Sequence, residues 1–335
     1  MTTGPVDLGP DFWQLDDEDQ LAALGLGMER GGRRERWHEA RQAMAELVED
    51  AALDERFETS YTPSRYERAW LAASLGPFIQ DNIITDVEAM IKGGKEASVY
   101  RCTAHPSLGV RHLAAKVYRP QQFRNLRNDA QYREGRLMLV PSGSEIKPTD
   151  GRVMRAVRKK TSFGREVLHL SWMTHEYQAM LRLHALGGDV PRPVAVGGNA
   201  ILMGYVGDRD RAAPTLHEAE IDPRAAPALR DRALHNVELL LEADLIHGDL
   251  SAFNILYWDG RLVLIDFPQV VNAVGNPQAR TLLRRDLQRL DEAFAPLGAT
   301  IDIDGTLETL WERHIGARAL VPPAEAFEDE DDGLM

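Results

Sequence analysis

Asp249, Asn254 and Asp266 lie in one stretch that runs from His247-Gly248-Asp249-Leu250-Ser251-Ala252-Phe253-Asn254 to Ile265-Asp266. Two oxygen donors brought together suit a hard cation such as Mg²⁺, and a further carboxylate left off the metal suits the proton of an attacking hydroxyl. That combination is the apparatus of phosphoryl transfer, which is mostly positioning and charge neutralisation. A hairpin must do the positioning. Asp259-Gly260 between the runs Asn254-Ile255-Leu256-Tyr257 and Leu262-Val263-Leu264-Ile265 predicts a two-residue turn, because both central positions of the favoured turn need positive φ. Folding it sets Asn254, at the start of the first strand, beside Asp266, at the end of the second. Asp249, on the preceding loop, is expected to stay free to accept the proton. Any one Asp or Asn more commonly caps a helix or makes a turn; the ordered set carries the reading.

Phosphoryl transfer also needs a cation for the phosphates. Ala114-Ala115-Lys116-Val117-Tyr118 puts a lysine in an apolar strand, where it needs an anionic partner. The candidates are the phosphates of ATP and Glu176, which lies on the first long helix after the strands. The plainer readings are a solvated lysine on an edge strand and a surface helix charge. Upstream, Lys92-Gly93-Gly94-Lys95-Glu96-Ala97-Ser98 joins two strands, and its glycine pair would let backbone amides approach phosphate oxygens. No helix opening on Lys-Thr or Lys-Ser follows, which excludes a Walker A loop.

With 335 residues, 44% of them hydrophobic, the chain can build one two-lobed domain with extensions. No apolar run approaches the roughly 20 residues of a membrane span, and the first twenty residues are acidic, unlike a secretory signal; a soluble, cytoplasmic protein without a membrane partner is expected. Its one cysteine, Cys102, excludes an intrachain disulfide and is expected in the core. A net charge of −13 disfavours general nucleic-acid binding. Yet Arg111 to Arg165 holds fourteen Lys and Arg against four acids, leaving −23 for the rest, which points to a local surface facing phosphate, RNA or a ribosomal particle. A solvated loop is the plainer account of the same run.

The expected fold is α+β and two-lobed, of the protein-kinase kind. Residues 1–63 form a flexible acidic N-terminus with one helix, Arg36 to Phe57. Residues 64–203 form the N-lobe, an antiparallel β-sheet with one main helix. It comprises a helix from Ser64 to Phe78, strands at 83–91, 97–103 and 112–118, a flexible basic insertion at about 120–165, and the main helix from Ser171 to Leu186. Gly187-Gly188, Pro191 and Pro193 end that helix. A strand and hinge follow at Ala200 to Val206. Residues 204–312 form a mostly helical C-lobe with a core helix from Ala225 to Ala243, the catalytic hairpin and a closing helix from Gln278 to Phe294; 313–335 is an acidic tail. After Asp266 come Phe267-Pro268-Gln269 in place of Phe-Gly, no Ala-Pro-Glu, and 69 residues, so a truncated C-lobe without the usual peptide-docking segment is expected.

Gly94-Lys95-Glu96-Ala97-Ser98-Val99-Tyr100, Ala115-Lys116-Val117-Tyr118, Asp249-Leu250-Ser251-Ala252-Phe253-Asn254 and Ile265-Asp266-Phe267-Pro268-Gln269 together resemble the RIO family of atypical serine/threonine kinases. The resemblance covers about residues 68 to 295, including a hinge at Met203 to Gly207 and a closing helix at Asn276-Pro277 through Asp286. It implies that Asp249 is the catalytic aspartate and that Asn254 and Asp266 hold Mg²⁺, with Mn²⁺ as an alternative. By the same resemblance Lys116 and Glu176 orient the phosphates of ATP, while Gly93, Gly94, Lys95, Glu96 and Ser98 cover them. Met203, Gly204 and Val206 line the adenine, and Asp266 is itself a phosphate acceptor candidate. The N-terminal helices do not spell the winged helix of one RIO subfamily.

The activity implied is transfer of the γ-phosphoryl of ATP to a Ser or Thr hydroxyl of an unknown protein substrate, or to the chain itself. Two alternatives stand beside it: an ATPase switch docking on a ribonucleoprotein, and a small-molecule phosphotransferase of the aminoglycoside or choline kinase kind, whose loop also reads His-Gly-Asp with a following Asn.

Overall fold

The computed structural model describes residues 57–94, 97–118, 151–159, 161–316 and 318. The helix expected over Arg36 to Phe57 (save its last residue), the loop residues Lys95 and Glu96, residues 119–150 and 160 of the basic segment, and 317 and 319–335 of the acidic tail lie outside them; the first residues given to that tail, Arg313 and His314, end a helix. The described residues form two compact units, one of 57–118, 151–177 and 191–212, the other of 178–190 and 213–318.

The first unit is a five-stranded antiparallel sheet with helices. Helix α1 (Arg65–Gln80) starts at a capping box: Ser64 Oγ accepts the Glu67 amide and the Glu67 carboxylate accepts the Ser64 amide. Strands β1 (Ile84–Gly93), β2 (Ala97–Ala104) and β3 (His112–Tyr118) follow, then helices α2 (Gly151–Arg158) and α3 (Ser162–Ala185, in this unit as far as Tyr177), and strands β4 (Pro193–Gly197) and β5 (Ala200–Gly204). The sheet order is β1-β2-β3-β5-β4. Alternation along β2 buries Ser98, Tyr100, Cys102 and Ala104, and α1 covers that face with Trp70, Leu71 and Leu75. Two ties join helix to sheet: Trp70 Nε1 donates to the Tyr118 carbonyl at 3.0 Å, and the Tyr100 hydroxyl donates to buried Glu67 at 2.8 Å.

Three elements differ from expectation. Gly151–Arg158 is helical, and α3 begins at Ser162, nine residues before the expected start, so helix replaces the end of the basic stretch. Thr161 Oγ1 caps α3 by accepting the Gly164 amide at 3.1 Å. Strand β4 was not expected. It is an edge strand that opens on Pro193, a place where proline removes no needed ladder bond.

The second unit packs helices α4 (Ala226–Glu242), α5 (Ala279–Phe294) and α6 (Ile303–His314) around two short ladders. Strands β6 (Leu245–Ile246) and β9 (Val271–Asn272) pair antiparallel, as do β7 (Ile255–Trp258) and β8 (Arg261–Leu264). Helix α5 presents Leu282, Leu283, Leu287 and Leu290 to the core at helical spacing. Among the described residues no helix is long and apolar enough to cross a membrane.

Candidate active site

In the first unit Lys116 lies on β3, which has a neighbour on each side: it pairs with Val99 of β2 and Ile201 of β5. The edge-strand reading therefore does not hold. Its Nζ donates to Glu176 Oε1 at 2.6 Å, and the Tyr118 hydroxyl donates to Glu176 Oε2. The Glu176 side chain is 1% exposed and that of Lys116 13%. A carboxylate so deep is tolerable only with donors on it, and here each oxygen has one.

Gly93 ends β1 opposite Ser98, which is fully buried. At Gly94 a Cβ would stand 2.6 Å from the Ala97 carbonyl oxygen, so the turn between β1 and β2 requires glycine. Met203 is buried on β5 beside Ala114. The Gly204 amide donates to the Arg192 carbonyl at 2.8 Å, so Gly204 has no amide hydrogen left for a base. Val206 follows just beyond the strand. Next to it Gly207 takes φ 136, and the Asp208 carboxylate accepts the amides of Asp210 and Arg211 at 2.8 Å each, closing a tight turn.

In the second unit the expected turn forms: Asp259 and Gly260 have φ 48 and 75, and Ile255 to Trp258 pair with Leu264 to Arg261. Beyond the last ladder pair, the Ile265 amide donates to the Asn254 carbonyl at 3.0 Å, so Asn254 and Asp266 flank the same end of the hairpin. Asp266 takes φ 70, a left-handed conformation that Asp tolerates better than most residues. Buried His247 adds a cross-tie, since its Nε2 donates to the Ile265 carbonyl at 3.1 Å and its ring lies 4.8 Å from that of Phe267.

Asp249 is held by two side chains. Asn254 Nδ2 donates to the Asp249 carbonyl at 2.8 Å and to its Oδ2 at 3.1 Å, and Arg289 Nη1 is ion-paired to its Oδ1. The loop around it is held from below. Asp286 Oδ2 accepts the Gly248 amide at 2.8 Å, Oδ1 accepts the Leu250 amide at 3.0 Å, and Arg285 donates to the Gly248 carbonyl. Burial pushes the Asp286 carboxyl up to about 7, against the pull of those two amides and of the Arg285 and Arg289 charges.

A further anchor fixes the turn after α3. Asp189 receives Arg232 at 2.5 and 2.9 Å and Asn236 Nδ2 at 2.7 Å, and its carbonyl accepts the Leu264 amide at 2.7 Å. Burial alone would raise the pKa of Asp189; the hydrogen bonds from Arg232 and Asn236 and the Arg232 charge outweigh it and hold the carboxyl below its usual range.

Residues 144–305 match the RIO domain family. The chain is 33% identical over 242 residues to the RIO-type serine/threonine-protein kinase Rio1 of Haloferax volcanii, covering 70% of this chain and 72% of that one. The chain belongs to the RIO family of serine/threonine-protein kinases. Against the RIO1 kinase of Chaetomium thermophilum the identity is 30% over 237 residues, 68% of this chain but only 42% of that longer one. A crystal structure of the Rio2 kinase–ADP/Mg²⁺–phosphoaspartate complex from the same fungus covers 91% of this chain and is itself covered to 89%, at 19% identity and a TM-score of 0.49.

The RIO chain thus has its sequence-identified residues on two separate frames. Lys116, Glu176, Gly93, Gly94, Ser98, Met203, Gly204 and Val206 belong to the sheet unit; Asp249, Asn254 and Asp266 belong to the helical one. Sequence reasoning missed Arg289, the grip of Asp286, and Tyr118. Asp286 had a signal, an acid on the apolar stripe of a helix, which needs a buried donor. Of the basic segment, the described helix α2 exposes Arg152, Arg155 and Arg158.

Proposed function

We propose that the chain is an ATP- and Mg²⁺-dependent serine/threonine kinase that transfers the γ-phosphoryl group to a hydroxyl of a protein substrate or of the chain itself. The observation that carries this reading is the arrangement about Asp249, a carboxylate aimed by Asn254 and Arg289 on a loop whose hairpin ends at Asp266. The donor set fits a magnesium ion. Asn254 spends its amide hydrogens on Asp249, which leaves its carbonyl oxygen as a ligand, and Asp266 adds a carboxylate. Mg²⁺ characteristically takes one or two protein oxygens and completes its shell with water and phosphate, in keeping with the lack of any cluster of three His, Cys, Asp or Glu among the described residues.

When bound, the ion neutralises phosphate charge. Lys116, held by Glu176, supplies a fixed positive charge for the same purpose. The acceptor oxygen attacks the γ-phosphorus, its proton passes to an Asp249 oxygen, and the bond to ADP breaks. Replacing Asp249 with Asn preserves the shape and removes the base. Phosphate incorporation from labelled ATP, into the chain or into any protein acceptor, should fall by about two powers of ten or more. Undiminished incorporation would overturn the reading. Mass spectrometry after incubation with Mg²⁺-ATP then locates the acceptor, and an acid-labile adduct would point to Asp266 in place of a hydroxyl.

A further inference from the structure

Asp249 borders a cavity of about 670 Å³ contained within the second unit. Its walls come from residues 216–221, from 249–254, and from the end of α5 with Pro296 and Leu297. The first two walls are fastened together by backbone. Thr215 bridges to Leu256, the Leu216 amide donates to the Ile255 carbonyl at 2.7 Å, and the His217 amide donates to the Ala252 carbonyl at 3.1 Å. This preformed contact lays the His217 ring against Phe253, with centroids 4.2 Å apart and planes inclined by 33°.

Phe253 remains 56% exposed. An isolated exposed apolar side chain needs no explanation. Of the exposed large apolar residues among those described, Val110, Leu186 and Phe253, only Phe253 lines this cavity. It therefore offers an aromatic surface in the compartment that contains the proton acceptor. Ile221 and Leu297 extend that apolar lining. The charges present point the same way, because Arg289 is committed to Asp249 and Glu292 repels a second acid. The size falls in the range of roughly 300–1,000 Å³ typical of ligand sites, enough for a side chain and its neighbours.

We propose that this cavity is the acceptor site, and that it selects a Ser or Thr flanked in the substrate chain by a large aromatic or aliphatic side chain, which lies on the Phe253–His217 platform. The proposal rests on the phosphoryl-transfer reading above and adds the substrate class to it. The test is a positional-scanning Ser/Thr peptide library with Mg²⁺-ATP, run on the full chain and on its Phe253→Ala, Phe253→Leu and His217→Ala variants. The full chain should prefer a large apolar residue over Ala at one or more flanking positions by about tenfold in kcat/KM. That ratio should fall to about one in Phe253→Ala, shrink in His217→Ala and largely survive in Phe253→Leu. Phosphorylation without apolar selection, or the same selection in Phe253→Ala, would overturn the acceptor site while leaving phosphoryl transfer standing. Absence of transfer from the full chain to any peptide and to itself would instead remove the phosphoryl-transfer reading, and this proposal with it.

Discussion

Arg289 of helix α5 is ion-paired to Asp249 of the loop, and the two side chains are 33% and 32% exposed. At that exposure the pair contributes little to folding, and its effect is to fix the direction of one carboxylate oxygen. Replacing Arg289 with Ala should lower kcat for phosphate transfer by about tenfold and leave KM for ATP nearly unchanged, with Lys restoring part of the loss because it keeps the charge without the planar fork. Steady-state kinetics in ATP and acceptor separate the two constants. A matching rise in KM for ATP would place Arg289 in nucleotide binding instead.

The Lys116–Glu176 pair is of the opposite kind, a buried carboxylate with its cation. Lys116→Met strands Glu176, so the variant should lose about 3 kcal/mol of stability as well as activity. Adding Glu176→Gln should recover most of the stability and none of the activity, since the Gln can still accept from Tyr118 but no cation remains. Denaturant midpoints of the three proteins measure the first effect and phosphate incorporation the second.

Asp286 predicts a pH dependence. Burial raises its carboxyl from 3.8 to about 7 on folding, so between those values the folded chain keeps a proton that the unfolded chain releases. Its contribution to stability is complete below about pH 4 and is lost as pH rises through about 7. The unfolding free energy of the native chain relative to Asp286→Asn should therefore decline across that window, by roughly 4 kcal/mol at most. Urea titrations at a series of pH values check this; a flat difference would mean that Asp286 stays ionised in the fold.

Asp266, the proposed second Mg²⁺ ligand, takes φ 70. Asn shares the tolerance for that conformation, so Asp266→Asn should fold with nearly native stability yet bind Mg²⁺-ATP more weakly. Ala is expected to cost about 1 kcal/mol in addition. Calorimetric titration with Mg²⁺-ATP and thermal melts of the two variants distinguish the electrostatic part from the backbone part.

The hairpin was legible because its causes are local. Asp259-Gly260 dictates the turn, and the flanking apolar runs dictate the strands. Lys116 was legible for a related reason, since a charge amid Ala114, Ala115 and Val117 has to be answered. The partner of Asp249 was not, because nothing near Asp249 encodes a contact with a residue forty positions on. The start of α3 failed differently. Gly164 reads locally as a helix breaker, but a Cβ there would stand 2.2 Å from the Ala156 carbonyl oxygen, so the glycine serves a close approach to α2 that only the fold reveals. The spent amide of Gly204 was missed with strand β4, because it continues the β4–β5 ladder one residue beyond the Pro193–Met203 pair to the Arg192 carbonyl.

Helix α5 holds the loop at four points, the amides of Gly248 and Leu250 through Asp286, the Gly248 carbonyl through Arg285 and the carboxylate of Asp249 through Arg289. In the language of local unfolding, the loop is not a separate foldon. The amide hydrogens of Gly248 and Leu250 exchange with solvent only when Asp286 releases them, so the opening rate of the loop is set on a helix that lies some forty residues downstream in the chain.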